Sequence, residues 1–263
     1  MKRKVLCNTA SSQTFNAATM NRCTALRLLA VLFLTSPAVL HAEAKKLAAP
    51  DVWPKPKPTS HDYKKWEKNI EAFEASDKES APAKGSLLFV GSSTIVRWKT
   101  LAEDFAGVPV LNRGFGGNQI KDSTFYAERM IFPYAPKAIF LRAGGNDINA
   151  GWPAEDVFAD FKTFVAKVRE RLPNVPIYYI GLSPTIKRLT QIDEGNKLND
   201  MIATWAKEQT GITYIDTRTL SFDKDGKVRP ELFVEDMLHF NEEGYKLLAA
   251  VVKPFVMAAA AAK

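Results

Sequence analysis

The feature that most constrains the fold is a rhythm that sets in at residue 86. Short apolar runs rich in Val, Ile, Leu and Tyr alternate with amphipathic segments. The runs are SLLFV (86–90), VPVLN (108–112), AIFLRA (138–143), PIYYIGL (176–182) and ITYID (212–216). They do not alternate polar with apolar residues, which suits strands covered on both faces. The segments between them predict helices over 94–101, 118–131, 154–172 and 193–210, with a last one over 241–257. Strand–helix alternation predicts an α/β fold: a five-stranded parallel sheet between two helix layers, a three-layer α/β/α sandwich. Such sheets carry their working loops at the carboxyl ends of the strands.

The N-terminus reads differently. Residues 26–40, LRLLAVLFLTSPAVL, form an apolar run with Arg27 at its second position, preceded by Lys2, Arg3, Lys4 and Arg22. It is short of the ~20 residues a comfortable membrane span needs. Ala42 and Ala44 flank Glu43 in the small-x-small pattern of a signal-peptidase site. Residues 1–44 are therefore expected to be a cleaved export signal, with Met1 or Met20 as the start. The mature protein would then be periplasmic or secreted, with no stable membrane span. Without this leader Lys plus Arg fall from 36 to 31 and Asp plus Glu from 29 to 28, so the net charge falls from +7 to +3. That is weak support for a nucleic-acid partner, and none is expected. Cys7 and Cys23 leave with the leader, which excludes thiol catalysis and thiolate metal sites in the mature chain. Residues 45–60 hold four prolines and predict an extended tether or surface strap. Residues 61–263 are expected to be one domain, opening on a helix over 61–76 capped by Ser60, with Trp66, Ile70 and Phe73 at helical spacing.

Four segments near strand ends could carry chemistry: Gly91-Ser92-Ser93-Thr94, the glycine-rich stretch 112–118, Ala143-Gly144-Gly145-Asn146-Asp147, and Asp236-Met237-Leu238-His239. Each alone has a plainer reading as a helix cap or a tight corner. The histidine count shifts the balance. Of His41, His61 and His239, the first belongs to the leader and the second reads as a solvated helix start. Only His239 stands near a strand end with a carboxylate, Asp236, three residues away. A serine nucleophile needs a base in hydrogen-bond reach, and the base needs an orienting acceptor. An acyl-transfer site also needs donors aimed at a developing oxyanion, which Gly117 (backbone N–H), Asn146 (side-chain amide) and the nucleophile's own N–H can supply. The dipole of the helix that follows the serine favours negative charge there too.

Taken in order, these blocks resemble those of the SGNH hydrolases, also called GDSL esterases and lipases: Gly91-Ser92-Ser93, Gly117, Gly144-x-Asn146-Asp147 and Asp236-x-x-His239. The resemblance spans roughly residues 86–250. It implies a flavodoxin-like fold, no metal and no cofactor. It also implies a catalytic set of Ser93, His239 and Asp236, with an oxyanion hole of Ser93, Gly117 and Asn146. Two positions depart from the family pattern. Ser92 stands where aspartate is usual, which keeps Ser92 as a second candidate nucleophile, and Phe240 stands where proline is frequent. Asn241 remains as a cap for the last helix.

The expected activity is hydrolysis of carboxylic esters, short acyl or acetyl esters in particular, on a small-molecule, carbohydrate or lipid substrate. Alternatives are an envelope O-acyltransferase acting on a sugar hydroxyl, a (lysophospho)lipase, or a binding module with a decayed site. A mononucleotide-binding protein fits less well, because the glycine-rich turn follows the second strand. Trp152 could stack on a sugar ring or simply pack. Arg188 could bind a polar leaving group or stand in solvent.

Overall fold

The structure, a computed structural model, describes residues 51–262 apart from position 53. The expected leader and the first residues of the tether lie outside the described residues. A 3-10 turn at Tyr63–Trp66 leads into α1 (Glu67–Glu79). There follow β1 (Leu87–Gly91), α2 (Ser93–Val96), α3 (Leu101–Asp104), β2 (Val110–Gly114), α4 (Ile120–Phe125) and α5 (Ala127–Met130). Then come β3 (Ala138–Arg142), α6 (Gly145–Asn149), α7 (Ala154–Arg171), β4 (Ile177–Ile180), α8 (Ile192–Lys207), β5 (Ile212–Ile215) and α9 (Glu242–Ala261). The strands form one sheet in the order β2-β1-β3-β4-β5, and every pairing is parallel.

The apolar runs explain the layers. Side chains along a strand point alternately to opposite faces, so a continuous apolar run feeds two cores at once. Leu88, Val90, Ile139 and Leu141 face one core, with Val157, Phe161 and Phe164 of α7 and Leu198 and Ile202 of α8. Leu87, Phe89, Ala138 and Phe140 face the other, with Leu248, Val252 and Val256 of α9. There Phe89 stacks on Phe140 with ring centres 4.8 Å apart, and Phe140 on Tyr178 at 4.5 Å. Each such side chain contributes roughly 1.5–3 kcal/mol on burial. Among the described residues only α9 is long and apolar enough to cross a bilayer, and its inner stripe packs in this second core.

The five strands and the two-layer covering match the expectation, with local differences. The segment expected as one helix over 94–101 is two single turns, because the chain bends to bury Trp98, whose indole N–H donates to Asp104 at 2.6 Å. The helix expected over 118–131 breaks at Tyr126, whose hydroxyl donates to the Tyr63 carbonyl at 2.8 Å. The second strand lies two residues later than its apolar run suggests and carries Arg113 into a buried contact with Asp77 and Tyr134. Asn146 and Asp147, which follow Gly144 and Gly145, sit in the first turn of α6. Asp62, not Ser60, caps the first turn by accepting from Lys64 N–H at 3.0 Å. His61 is not a solvated residue: its Nε2 lies 2.6 Å from the fully buried Asp122 carboxylate.

The described part of the proline-rich segment lies against the body as a strap. Asp51 exchanges hydrogen bonds with Lys187 and Thr190, and Lys55 donates to Asn149 at 2.9 Å.

Candidate active site

Register puts the working loops on one edge. Gly91 at the end of β1 pairs with Gly114 of β2 and Arg142 of β3, so the three loops leave the sheet side by side. Gly91 adopts φ +143°, and a Cβ there would collide with the Arg142 carbonyl. The sharp exit this allows brings Ser92 into the N-cap position of α2 and Ser93 into its first turn. The Ser92 N–H donates to Arg142 O at 3.0 Å, and its carbonyl accepts from Ile95 and Val96. Its backbone is thereby committed to the turn. Because α2 is a single turn, the helix-dipole contribution expected from the sequence is small, and the local N–H groups are what remains.

The opposite wall comes from the loop before α9. Asp236 Oδ1 accepts from the N–H groups of Leu238 and His239, each at 2.9 Å, which closes a tight turn. Within it Met237 adopts φ +56°, a conformation uncommon for a side chain of this size. Phe233 and Phe240 pair across the loop and stack, and the Val234 N–H donates to the His239 carbonyl at 2.9 Å. Asn241 then caps α9 by accepting from Gly244 N–H, as its sequence position suggests.

These two walls bring three side chains from distant parts of the chain into line. His239 Nε2 lies 2.8 Å from Ser93 Oγ, and His239 Nδ1 lies 2.6 Å from Asp236 Oδ2. A carboxylate can only accept, so Nδ1 carries the proton and Nε2 presents its lone pair to the serine hydroxyl. Burial raises the Asp236 pKa, but hydrogen bonds from the His239 ring and from the N–H groups of His239 and Leu238 outweigh it, and the carboxyl titrates below its ordinary value. It therefore stays ionised beside the imidazole at neutral pH. Of the two adjacent serines, Ser93 is the one whose hydroxyl meets the histidine.

Asn146, in α6, is held from both ends of its amide. Its Nδ2 donates to the Asn118 carbonyl at 3.0 Å, and its Oδ1 accepts from Arg188 at 2.8 Å. Neither bond uses its second amide hydrogen, and Asn146 lines the cavity beside Ser93. Gly117 adopts φ +80° and lies under the Trp66 indole, 2.7 Å from where a Cβ would stand. A cavity of about 90 Å³ opens beside Ser93, its wall formed in part by Asn146, Arg142, Arg188, Leu182 and His239. Gly117 and Trp152 are not on this wall. Trp152 instead packs on the core with the Lys121 ammonium 3.5 Å from its ring centre, so the stacking role considered from the sequence has no geometric support. Arg188 does face the cavity.

Sequence reasoning missed Arg142. In AIFLRA it looks like a strand-end charge, yet it is 5% exposed and its partners lie on the loops after β4 and β5. It missed Trp66 as a roof for Gly117, since nothing local links positions 51 residues apart. Among the described residues no group of three His, Cys, Asp or Glu side chains is placed to hold a metal ion.

Residues 85–247 match the sequence profile of the GDSL-like Lipase/Acylhydrolase family. The chain belongs to that family. As a GDSL-type acylhydrolase it is a carboxylic ester hydrolase by class. No curated protein sequence matches it. Solved structures of the same fold are more distant. One from Streptococcus pneumonia, proposed to be a platelet activating factor, is 19% identical with a TM-score of 0.66, covering 73% of this chain and 93% of that one. A GDSL-like lipase from Bacteroides thetaiotaomicron is 17% identical with a TM-score of 0.58, covering 75% and 98%. A catalytic mutant of an acetylxylan esterase from Geobacillus stearothermophilus is 15% identical with a TM-score of 0.53, covering 66% and 95%. At these identities the likeness establishes the shared fold. Ser93, Gly117, Asn146, Asp236 and His239 all lie within the matched segment.

Proposed function

We infer that this GDSL-type hydrolase is an exported serine esterase that cleaves short-chain, acetyl-type esters in two steps. Ser93 Oγ attacks the acyl carbonyl while His239 Nε2 takes its proton, and Asp236 stabilises the imidazolium that forms. The tetrahedral oxyanion is met by the Ser93 and Gly117 N–H groups and by Asn146 Nδ2. One such donor contributes ~3 kcal/mol of transition-state stabilisation in comparable sites. His239 then protonates the leaving alkoxide, and in the second step it activates water to release the acid. The observation that carries this reading is the unbroken line from Ser93 Oγ through the His239 ring to Asp236, at 2.8 and 2.6 Å.

The short acyl group is supported by the partly enclosed cavity beside Ser93, whose wall is largely polar side chains with Leu182, Ile148 and Ile192 among them. A carbohydrate ester as substrate is in keeping with the acetylxylan esterase among the structures of like fold. Export rests on the leader pattern of residues 1–44. The test is a chain-length series of p-nitrophenyl esters on three proteins. Wild type should turn over the acetyl ester fastest, Ser93→Ala should lose turnover by at least about 1,000-fold, and Ser92→Ala should keep most of it. Equal activity of Ser93→Ala and wild type would refute the assignment, and a preference for long chains would refute the substrate class.

A further inference from the structure

The cavity beside Ser93 has a charge pattern that hydrolysis of a neutral ester does not call for. Two arginines, Arg142 and Arg188, form part of its wall, and no Asp or Glu does. Arg142 is 5% exposed. Among the described residues it donates to neutral oxygens: the Gly181 carbonyl, Thr217 Oγ1 at 3.3 Å and Ser183 Oγ at 3.2 Å. Burial pushes its pKa down to about 10, so it remains a cation at neutral pH. Arg188 donates to the neutral Asn146 Oδ1. Among the described residues no carboxylate makes an ion pair with either group, whereas Arg113, Arg129 and Arg218 each have one. Two acids act on Arg188 through space without forming an ion pair with it: Asp51, which pairs with Lys187, and the buried Asp147, whose Oδ1 accepts from the Ile120 N–H.

A buried cation with no carboxylate in direct contact is costly, and a buried polar atom with no partner adds to that cost. Two such atoms, Arg188 Nε and Thr185 Oγ1, belong to residues of this same wall. The neutral polar side chains around them, Ser183, Gln191 and Asn196, suit a hydrogen-bonded ligand. Guanidinium groups match carboxylate and phosphate oxygens in geometry as well as charge. We propose that the ester recognised here carries an anionic group, a carboxylate or phosphate-type oxyanion, which sits against Arg188 and Arg142 while the scissile carbonyl faces Ser93. This rests on the esterase reading of the same cavity and specifies its substrate class. The arginines then act as specificity determinants, with Arg188 also holding Asn146 in place.

The experiment compares matched esters that differ in one charge. p-Nitrophenyl hemisuccinate against p-nitrophenyl butyrate places the charge on the acyl side. 4-Acetoxybenzoate against its methyl ester places it on the alcohol side. The enzyme-free hydrolysis rate of each ester is subtracted before kcat/KM is taken, since the hemisuccinate carboxylate can expel p-nitrophenolate by itself through succinic anhydride. In wild type the anionic member of at least one pair should be preferred by at least about tenfold, and Arg188→Gln should bring that ratio close to one. Ratios near one or below for both pairs in wild type, with the neutral esters still hydrolysed, would overturn the proposal and leave the esterase standing. An unchanged ratio in Arg188→Gln would equally overturn it. If no ester is hydrolysed, the esterase reading falls by itself. An NMR titration of Ser93→Ala then reads the charge preference without turnover: monomethyl succinate should bind at least about tenfold more tightly than methyl butyrate, and equal or weaker binding would overturn the proposal.

Discussion

At the scale of single residues the site divides into what short spacing reveals and what only folding reveals. Asp236 and His239 are legible because three residues suffice to build an acid–imidazole turn, and because few histidines compete for the role. Ser93 is legible because it follows an apolar run and a glycine. Arg142 is not, since its environment is assembled from Gly181, Ser183 and Thr217 across two further strands. Asp147 lies between these cases. It is visible beside Asn146, but its burial is not. It is fully buried, Oδ1 accepts from Ile120 N–H at 3.0 Å, and Oδ2 has no partner. Burial raises its pKa from the ordinary 3.8 to about 7. Between those values the folded protein holds a proton that the unfolded chain has released, so this group's contribution makes stability fall as pH rises. Asp147→Asn removes that titration. Denaturant melts of both proteins at about pH 4.5 and 7.5 should show the variant gaining on wild type by at least about 1 kcal/mol on going to the higher pH. A gap that stays constant with pH would mean that the carboxyl is ionised throughout.

At the scale of elements, the strands were readable and the short helices were not, for one physical reason. A central parallel strand is apolar on both faces, and that pattern survives in the sequence without reference to neighbours. One-turn helices such as α2 and α5 have too few residues to show a period. Their ends are set by tertiary contacts such as Trp98 to Asp104 and Tyr126 to Tyr63. The link from β1 to α2 is the most demanding junction. Gly91 there combines φ +143° with a Cβ position occupied by the Arg142 carbonyl, which also accepts the Ser92 N–H. Neither strain nor collision can be relieved without parting β1 from β3 at the serine. Gly91→Ala should therefore cost at least about 3 kcal/mol of folding stability and lower kcat in whatever fraction still folds. A thermal melt within a degree of wild type, with full turnover, would show that this exit is slack.

At the scale of the whole molecule, the segment before the sheet is a working part of the site's architecture. The 3-10 turn and α1 are fastened to the body by three polar anchors: Arg113 to Asp77, Arg129 to Glu74, and Asp122, which receives the Trp66 indole N–H at 3.1 Å and sits 2.6 Å from His61 Nε2. The sequence suggests a helix here but not its partner surface, because the partners lie 36–62 residues downstream. Trp66 connects this brace to the loop that carries Gly117, a proposed oxyanion donor. Its ring lies 5.6 Å from that of Phe115 and against Gly117, so it limits the movement of the loop whose glycine N–H is proposed above as an oxyanion donor. Trp66→Ala should cost roughly 2–4 kcal/mol from lost packing and lower kcat by about tenfold, equivalent to ~1.4 kcal/mol of lost transition-state stabilisation, with KM little changed. Trp66→Phe keeps an aromatic roof but loses the bond to Asp122, so it should lose stability while keeping most of kcat. If α1 were a brace and nothing more, both variants would melt early and retain the wild-type kcat at temperatures where they are folded.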